Sequence, residues 1–267
     1  VSATQQPIIE RLARLSAQWS TFAEGPAPVL VWRLEPGERR MVEAFFRHAN
    51  EVEGEDLFLR TDLRFVADDR ADDAFGRALR DEVVQAWGDV VEQLPAGIPR
   101  GWKPPAVAHG AEQLSATLRS LRDHLQPLFR LLVLVIEPGE DPALTTWATR
   151  LAEALDSAQV RVVWMAYTDV ALAKQRPELV QQVSADLDMD GAALAVAKAA
   201  GEDTAQGAFR VAFVELGQAA SAQDLPTCRA RAATARGLAA ANGWGHLEVV
   251  VDGALAGALV TAGQHDE

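Results

Sequence analysis

Apolar positions along this chain follow two rhythms. From Pro7 they recur in steps of three and four, at Ile8, Leu12, Leu15, Trp19 and Phe22, until Gly-Pro-Ala-Pro at 25–28 breaks the pattern. That spacing predicts an amphipathic helix that covers its own domain; docking onto a partner is the rarer use of such a face. The rhythm then changes to short unbroken runs: VLVWRL (29–34), DLFLRT (56–61), LLVLVIE (131–137) and QVRVVWMAYT (159–168). Helical stretches separate them, carrying Met41, Val42, Phe45 and Phe46, then Phe75, Leu79, Val83 and Trp87, then 111–126, then 142–156 with Leu144, Trp147, Leu151 and Leu155 inward. Apolar strands without alternation, alternating with helices, describe a mostly parallel sheet flanked by helices. The α/β fold is expected over 29–169, after an N-terminal helix and linker at 1–28.

Between these elements, DDRADD (68–73) reads as a solvated acidic run that caps the helix starting at Asp72 or Asp73. LPAGIPRGWKPP (94–105) reads as a surface connection, with a polyproline ligand as the rarer alternative. Beyond Thr168 the expectation is helix throughout: a connector over 170–201, broken at DLDMDG, then an alanine-rich all-α region over 202–267. Within the latter, Leu216-Gly217 superposes on Leu255-Ala256 at a period of 39 residues. Small residues after leucine let an antiparallel neighbour approach. This resembles tetratricopeptide-type helix pairs, which stack because no single pair buries its own apolar face. On that reading the sequence stops inside a repeat and is expected to be part of a longer protein.

Two turns share the residues Glu-Pro-Gly-Glu, at 35–38 and 137–140, each after an apolar strand and before a helical pattern. A phosphate-binding P-loop needs glycines that free the backbone N–H groups, a lysine for the β/γ charge and a hydroxyl for magnesium. Over that pattern the chain offers Leu34-Glu35-Pro36-Gly37-Glu38-Arg39-Arg40-Met41. Pro36 and Gly37 fit and Arg40 keeps a positive charge. Leu34 and Arg39 replace glycines, and Met41 removes the hydroxyl. LLVLVIE resembles a Walker B strand ending in Glu137, with Ile136 at the usual magnesium aspartate, and the strand ending at Thr168 resembles a sensor strand.

Residues 29–168 thus resemble a degenerate P-loop NTPase core of the AAA/STAND kind. The resemblance implies P-loop-NTPase-like topology and, if nucleotide binds, contacts at Gly37, Arg39, Arg40 and Glu137. The alternative reading makes both turns plain corners, with proline setting φ and glutamate favoured at a helix N-terminus. Neither reading predicts hydrolysis, because Glu35 and Glu38 would set like charges beside a triphosphate.

Composition narrows the classes further. The net charge of −13 and pI near 4.9 lack the footprint of a nucleic-acid binder and oppose an anionic membrane. One cysteine, Cys228, precludes an intrachain disulfide and is expected to be a buried, inert thiol in a reducing, cytoplasmic setting. No charged-then-apolar leader and no spanning apolar run is present in the sequence.

DLDMDG (186–191) matches the start of an EF-hand loop, but the twelfth position is Ala197 and the ninth Leu194. Asp186, Asp188 and Asp190 are therefore read as caps of the next helix, with a weak cation site as the alternative. The five histidines form no zinc pattern, and no nucleophile elbow or dinucleotide fingerprint occurs. Pairing of Glu35 with Glu137 for acid–base work would rest only on the repeated turn. Of seven tryptophans, Trp32, Trp147 and Trp164 are assigned to the core, and Trp102 and Trp244 to exposed partner contacts.

The expectation is a non-catalytic protein–protein interaction module without catalytic residues, cofactor or metal: an adaptor, scaffold or regulatory subunit. Its rivals are a STAND-type nucleotide-binding regulator and an enzyme whose site leaves no sequence signature.

Overall fold

The computed structural model describes residues 5–65, 71–93, 99–106, 110–126, 128–139, 141, 143–155, 159–201 and 203–263. Several sequence readings lie outside them: Asp68 to Arg70 of the acidic run, the first part of the Pro/Gly loop, Glu140, His109, His265 and the last residues of the chain. The chain divides into two compact units, Leu12–Asp186, and Val1–Arg11 with Leu187–Glu267.

The first unit is a five-stranded, all-parallel sheet flanked by helices. Its strands are β1 (Val29–Arg33), β2 (Asp56–Arg60), β3 (Leu131–Ile136), β4 (Val160–Ala166) and β5 (Val180–Ser184), in the order β2-β3-β4-β1-β5. The three inner strands are buried along nearly their whole length, as their unbroken apolar sequences require. Helices α1 (Gln6–Ala23), α2 (Arg39–His48), α3 (Ala71–Val90), α4 (Gly110–Leu125), α5 (Leu144–Ala154) and the short α6 (Ala171–Gln175) complete the series up to β5.

Alternation along the strands sends side chains to two cores. On one face Val31, Leu134, Ile136, Val162 and Trp164 pack with Leu79 of α3, Leu118 of α4 and Trp147 of α5. On the other, the ring of Trp32 meets Phe45 and Phe46 of α2 at 5.5 and 5.8 Å, and Phe58 of β2 lies 4.9 Å from Trp19 of α1. These edge-on and tilted pairs are favourable for the ring quadrupoles. Trp32, Trp147 and Trp164 are buried, as the strand and helix patterns predict.

At the N-terminal end of the sheet, buried Asp56 accepts from Trp19 Nε1 at 2.9 Å and from both Nε and an outer nitrogen of Arg130, at 3.0 and 2.7 Å. This bidentate pair holds Arg130 charged, raising the guanidinium pKa mainly through the hydrogen bond to Asp56. The outer edge of β2 is closed differently. A π-helical turn, Ala49–Glu53, follows α2, and within it Asn50 accepts from Phe58 N at 2.9 Å and donates to Phe58 O at 3.0 Å. One side-chain amide thereby satisfies both outward backbone groups of an edge residue.

Residues 170–201 depart from the helical connector expected of them. β5, with the sequence VQQVS, runs parallel to β1 and completes the sheet, so the α/β unit continues past 169 to Asp186. As an edge strand it is only partly buried, so its two glutamines are tolerated and the apolar run that marks inner strands is missing.

In the second unit α7 (Met189–Ala199) is followed by α8 (Ala205–Ser221), α9 (Leu225–Ala241) and α10 (Gly245–Thr261), the last three of 17 residues each. A left-handed residue closes each of those three, Gln223, Gly243 and Gly263, spaced 20 residues apart. α8 and α10 therefore begin 40 residues apart, and Leu216 is matched in position by Ala256, not by Leu255. Leucine–small pairs are too frequent in alanine-rich sequence to fix the register. The interior of α8 and α9 is built from Phe209, Ala212, Leu216, Cys228, Ala232 and Ala235; its small side chains allow close helix approach.

Candidate functional site

The C-terminal edge of a parallel sheet is where strand-to-helix turns gather, and ligands of α/β folds bind there. The first Glu-Pro-Gly-Glu turn leaves β1 with Leu34 N donating to Ala166 O of β4 at 2.8 Å. Glu38 then closes the turn on itself: its backbone N–H donates to Glu35 O at 2.9 Å, and its Oε2 accepts from Glu35 N at 2.8 Å. Glu38 is 3% exposed. A carboxylate of the chain thus takes up a backbone N–H at the place where a P-loop would offer such groups to phosphate. Gly37 is exposed and uses no left-handed conformation, so its conformational freedom is not drawn on. The second turn is built otherwise, with Gly139 at φ +100° and Pro138 O accepting from Phe65 N at 2.9 Å.

The two turns are joined by charge. Glu137, 3% exposed just past β3, receives Arg39 from the first turn of α2 at 2.9 Å and Arg64 from the segment after β2 at 2.9 Å. Tyr167, just past β4, donates its hydroxyl to the same carboxylate at 3.2 Å. Burial, followed by the negative charge of Glu137, raises the Tyr167 pKa above its ordinary value and keeps the phenol protonated. Arg39 also reaches Glu43 at 3.1 Å, and Arg60 bridges Glu43 and Asp62 at 2.9 and 2.8 Å. Four strand ends thus meet in one polar cluster centred on a buried carboxylate.

Of the residues singled out for nucleotide, Arg39 and Glu137 come together, and they are bound to each other. Arg40 and Gly37 are exposed on the same turn. Arg60, Arg64, Glu43 and Tyr167 join the cluster without any prior sequence signal; each stands at or just beyond a strand end or on α2, positions that acquire meaning only once strand order is known. Glu35 is exposed and makes no pair with Glu137 among the described contacts.

The aspartates of 186–190 separate by role. Asp186 binds Arg14 at 2.5 Å. Asp188, at φ +46°, caps α7 by accepting from Gly191 N at 2.9 Å and also pairs with Arg11 at 3.4 Å. Among the described residues no group of three or more His, Cys, Asp or Glu could hold a metal ion.

Both tryptophans read as exposed turn inward. Trp102 is 9% exposed, donates Nε1 to Ser120 Oγ at 3.1 Å and lies 5.6 Å from the ring of Trp87. Its Pro/Gly surroundings suggested a surface loop, but an indole of that size closes the gap between α3 and α4. Trp244 is half-buried against Phe209, with ring centroids 6.0 Å apart. The exposed large apolar residues include Val249 (71%), Val250 (48%) and Val260 (56%), all on α10.

Known protein families, curated proteins and solved structures were all compared with the chain, and none matches it. No described helix is long and apolar enough to cross a membrane.

Proposed function

We propose that this chain is a non-catalytic protein–protein interaction module, an adaptor, scaffold or regulatory subunit acting in the cytoplasm. In this reading a P-loop-NTPase-like core that has lost its phosphate turn is followed by tetratricopeptide-like helices. The observation that carries the reading is the apolar face of α10. Val249 and Ala256 of α10 stand 40 residues after Phe209 and Leu216 of α8. In α8 those positions are buried with Cys228, Ala232 and Ala235 of α9, whereas on α10 Val249 is 71% exposed. Such a face takes an amphipathic helix, which the next element of a tetratricopeptide-like repeat or, in this reading, a protein partner supplies. Trp102 and Trp244, being buried and half-buried, are not assigned to the contact.

The strand order supports the NTPase-like ancestry. The turn-bearing β1 lies beside the sensor-like β4, and the Walker-B-like β3 lies beyond β4. The Glu38 carboxylate on the Glu35 amide supports the loss of phosphate binding. A partner of nucleic acid or anionic lipid is disfavoured by the net charge of −13.

Affinity capture from the native cell, comparing the wild-type chain with Val249→Asp/Val260→Asp and with a chain lacking 202–267, tests the reading. Partners are expected to be lost from both variants. Unchanged partners, or ATP hydrolysis that Arg40→Ala abolishes, would refute it.

A second reading, a STAND-type nucleotide-binding regulator, is favoured by the three guanidinium groups of Arg39, Arg60 and Arg64 around the sheet's C-terminal edge. Nucleotide would then have to displace Arg39 from Glu137. Mg-ATP at a hundred times its Kd would stabilise the protein by about 2.7 kcal/mol, and the first reading expects no such shift.

A further inference from the structure

A pocket of about 200 Å³ opens beside the edge strand β2, lined only by apolar side chains, among them Leu57, Leu59, Ala86, Trp87, Leu125 and Phe129. They come from β2, α3, α4 and the segment that enters β3, all within the α/β unit. We infer that this pocket is a binding site for a small, uncharged, apolar ring compound.

The lining sets the chemistry of the occupant. Apart from the indole N–H of Trp87, its side chains carry no hydrogen-bonding group, so a charged or strongly polar molecule would lose hydration with little in return. Water fares little better, since it needs two to four polar partners to settle in a cavity. The volume sets the size. A cavity of about 150 Å³ lined by leucine, isoleucine and phenylalanine stays dry and holds benzene, so this one takes a ring system of roughly indole size. Trp87 supplies an aromatic wall for edge or offset contact with such a ring. A strand from another protein is not the occupant, because Asn50 already takes both outward backbone groups of Phe58 on this edge.

The site is independent of the α10 face, and its test does not depend on any protein partner. Indole is titrated into the full chain and followed by two-dimensional amide NMR, with benzoate as a charged ring of similar size. Saturable one-to-one shifts are expected for indole, centred on residues 57–59, 83–87 and 121–129, and none for benzoate. Ala86→Phe fills the pocket from α3 and should weaken indole binding at least tenfold while the thermal transition is retained. Should that variant not fold, Leu57→Ala enlarges the pocket and shifts preference from indole toward naphthalene about tenfold. The inference is overturned by a wild-type chain that gives no saturable response up to the solubility of indole, or by benzoate binding equally well. Indole affinity untouched in folded Ala86→Phe, or no change of preference in Leu57→Ala, overturns it equally.

Discussion

The carboxylate of Glu38 folds back onto the backbone of Glu35, with Oε2 2.8 Å from the amide nitrogen. The anion that satisfies this turn belongs to the chain itself and is shielded from water, so the turn is complete without a ligand. Glu38→Ala removes this acceptor from the Glu35 N–H, which water can partly replace at an exposed residue, and is expected to cost about 0.5–1.5 kcal/mol. Urea unfolding monitored by circular dichroism measures the loss. The same variant should gain no affinity for Mg-ATP, because the glycine and hydroxyl positions at Arg39 and Met41 stay as they are.

Glu137 ties three strand ends together through Arg39, Arg64 and Tyr167. The carboxylate is buried, but Arg39 and Arg64 are 37% and 53% exposed in their side chains, so solvent screens much of the attraction. Glu137→Ala is accordingly expected to cost about 1–2 kcal/mol, less than a fully buried pair would. Tyr167→Phe removes one hydrogen bond to the same group and should cost about 0.5–1.5 kcal/mol. Because both act on one carboxylate, the double variant should lose less than the sum of the two, and a double-mutant cycle of denaturation free energies measures the shortfall.

What could be read beforehand follows from how each element is buried. β1, β3 and β4 lie inside the sheet, so both faces of each strand must be apolar, and unbroken runs such as LLVLVI announce them. β5 has a neighbour on one side only, and VQQVS carries no such signal. The same limit hides the cluster at Glu137. Arg39, Arg60, Arg64 and Tyr167 are distant in sequence, and their meeting depends on β2, β3, β4 and β1 standing in that order, which no local pattern encodes. Trp102 misled for a related reason: proline and glycine around it describe the backbone, whereas the indole answers to a gap left by two helices.

Asn50 occupies the outward N–H and C=O of Phe58 on the edge of the sheet. Asn50→Ala frees both, on a strand that itself carries the half-buried Leu57 and Leu59. Exposed edges of this kind pair with other chains. The variant is expected to self-associate as concentration rises while the wild-type chain does not, which light scattering after size-exclusion chromatography detects.

Cys228 is fully buried within the α8–α9 interior. Burial, followed by the negative charge of Asp224, pushes its thiol pKa above the ordinary value, so the reactive thiolate is scarce at pH 7–8. A chromogenic disulfide reagent should therefore modify no cysteine in the native protein and one per chain in denaturant. Rapid modification under native conditions would mean that α8 and α9 open readily.

Gln223 holds φ +55° at the turn after α8, where the turns after α9 and α10 place Gly243 and Gly263. A side chain in the left-handed region crowds the carbonyl that follows it, at roughly 1–2 kcal/mol. Glycine removes that strain but adds freedom to the unfolded chain, which returns about half of the gain. Gln223→Gly should thus stabilise the helical unit by about 0.5–1 kcal/mol, read as a raised urea midpoint at constant slope. Gly243→Gln at the equivalent turn should lose a similar amount. The opposite signs of the two changes would establish that the turns at 223 and 243 are the same structural position, repeated.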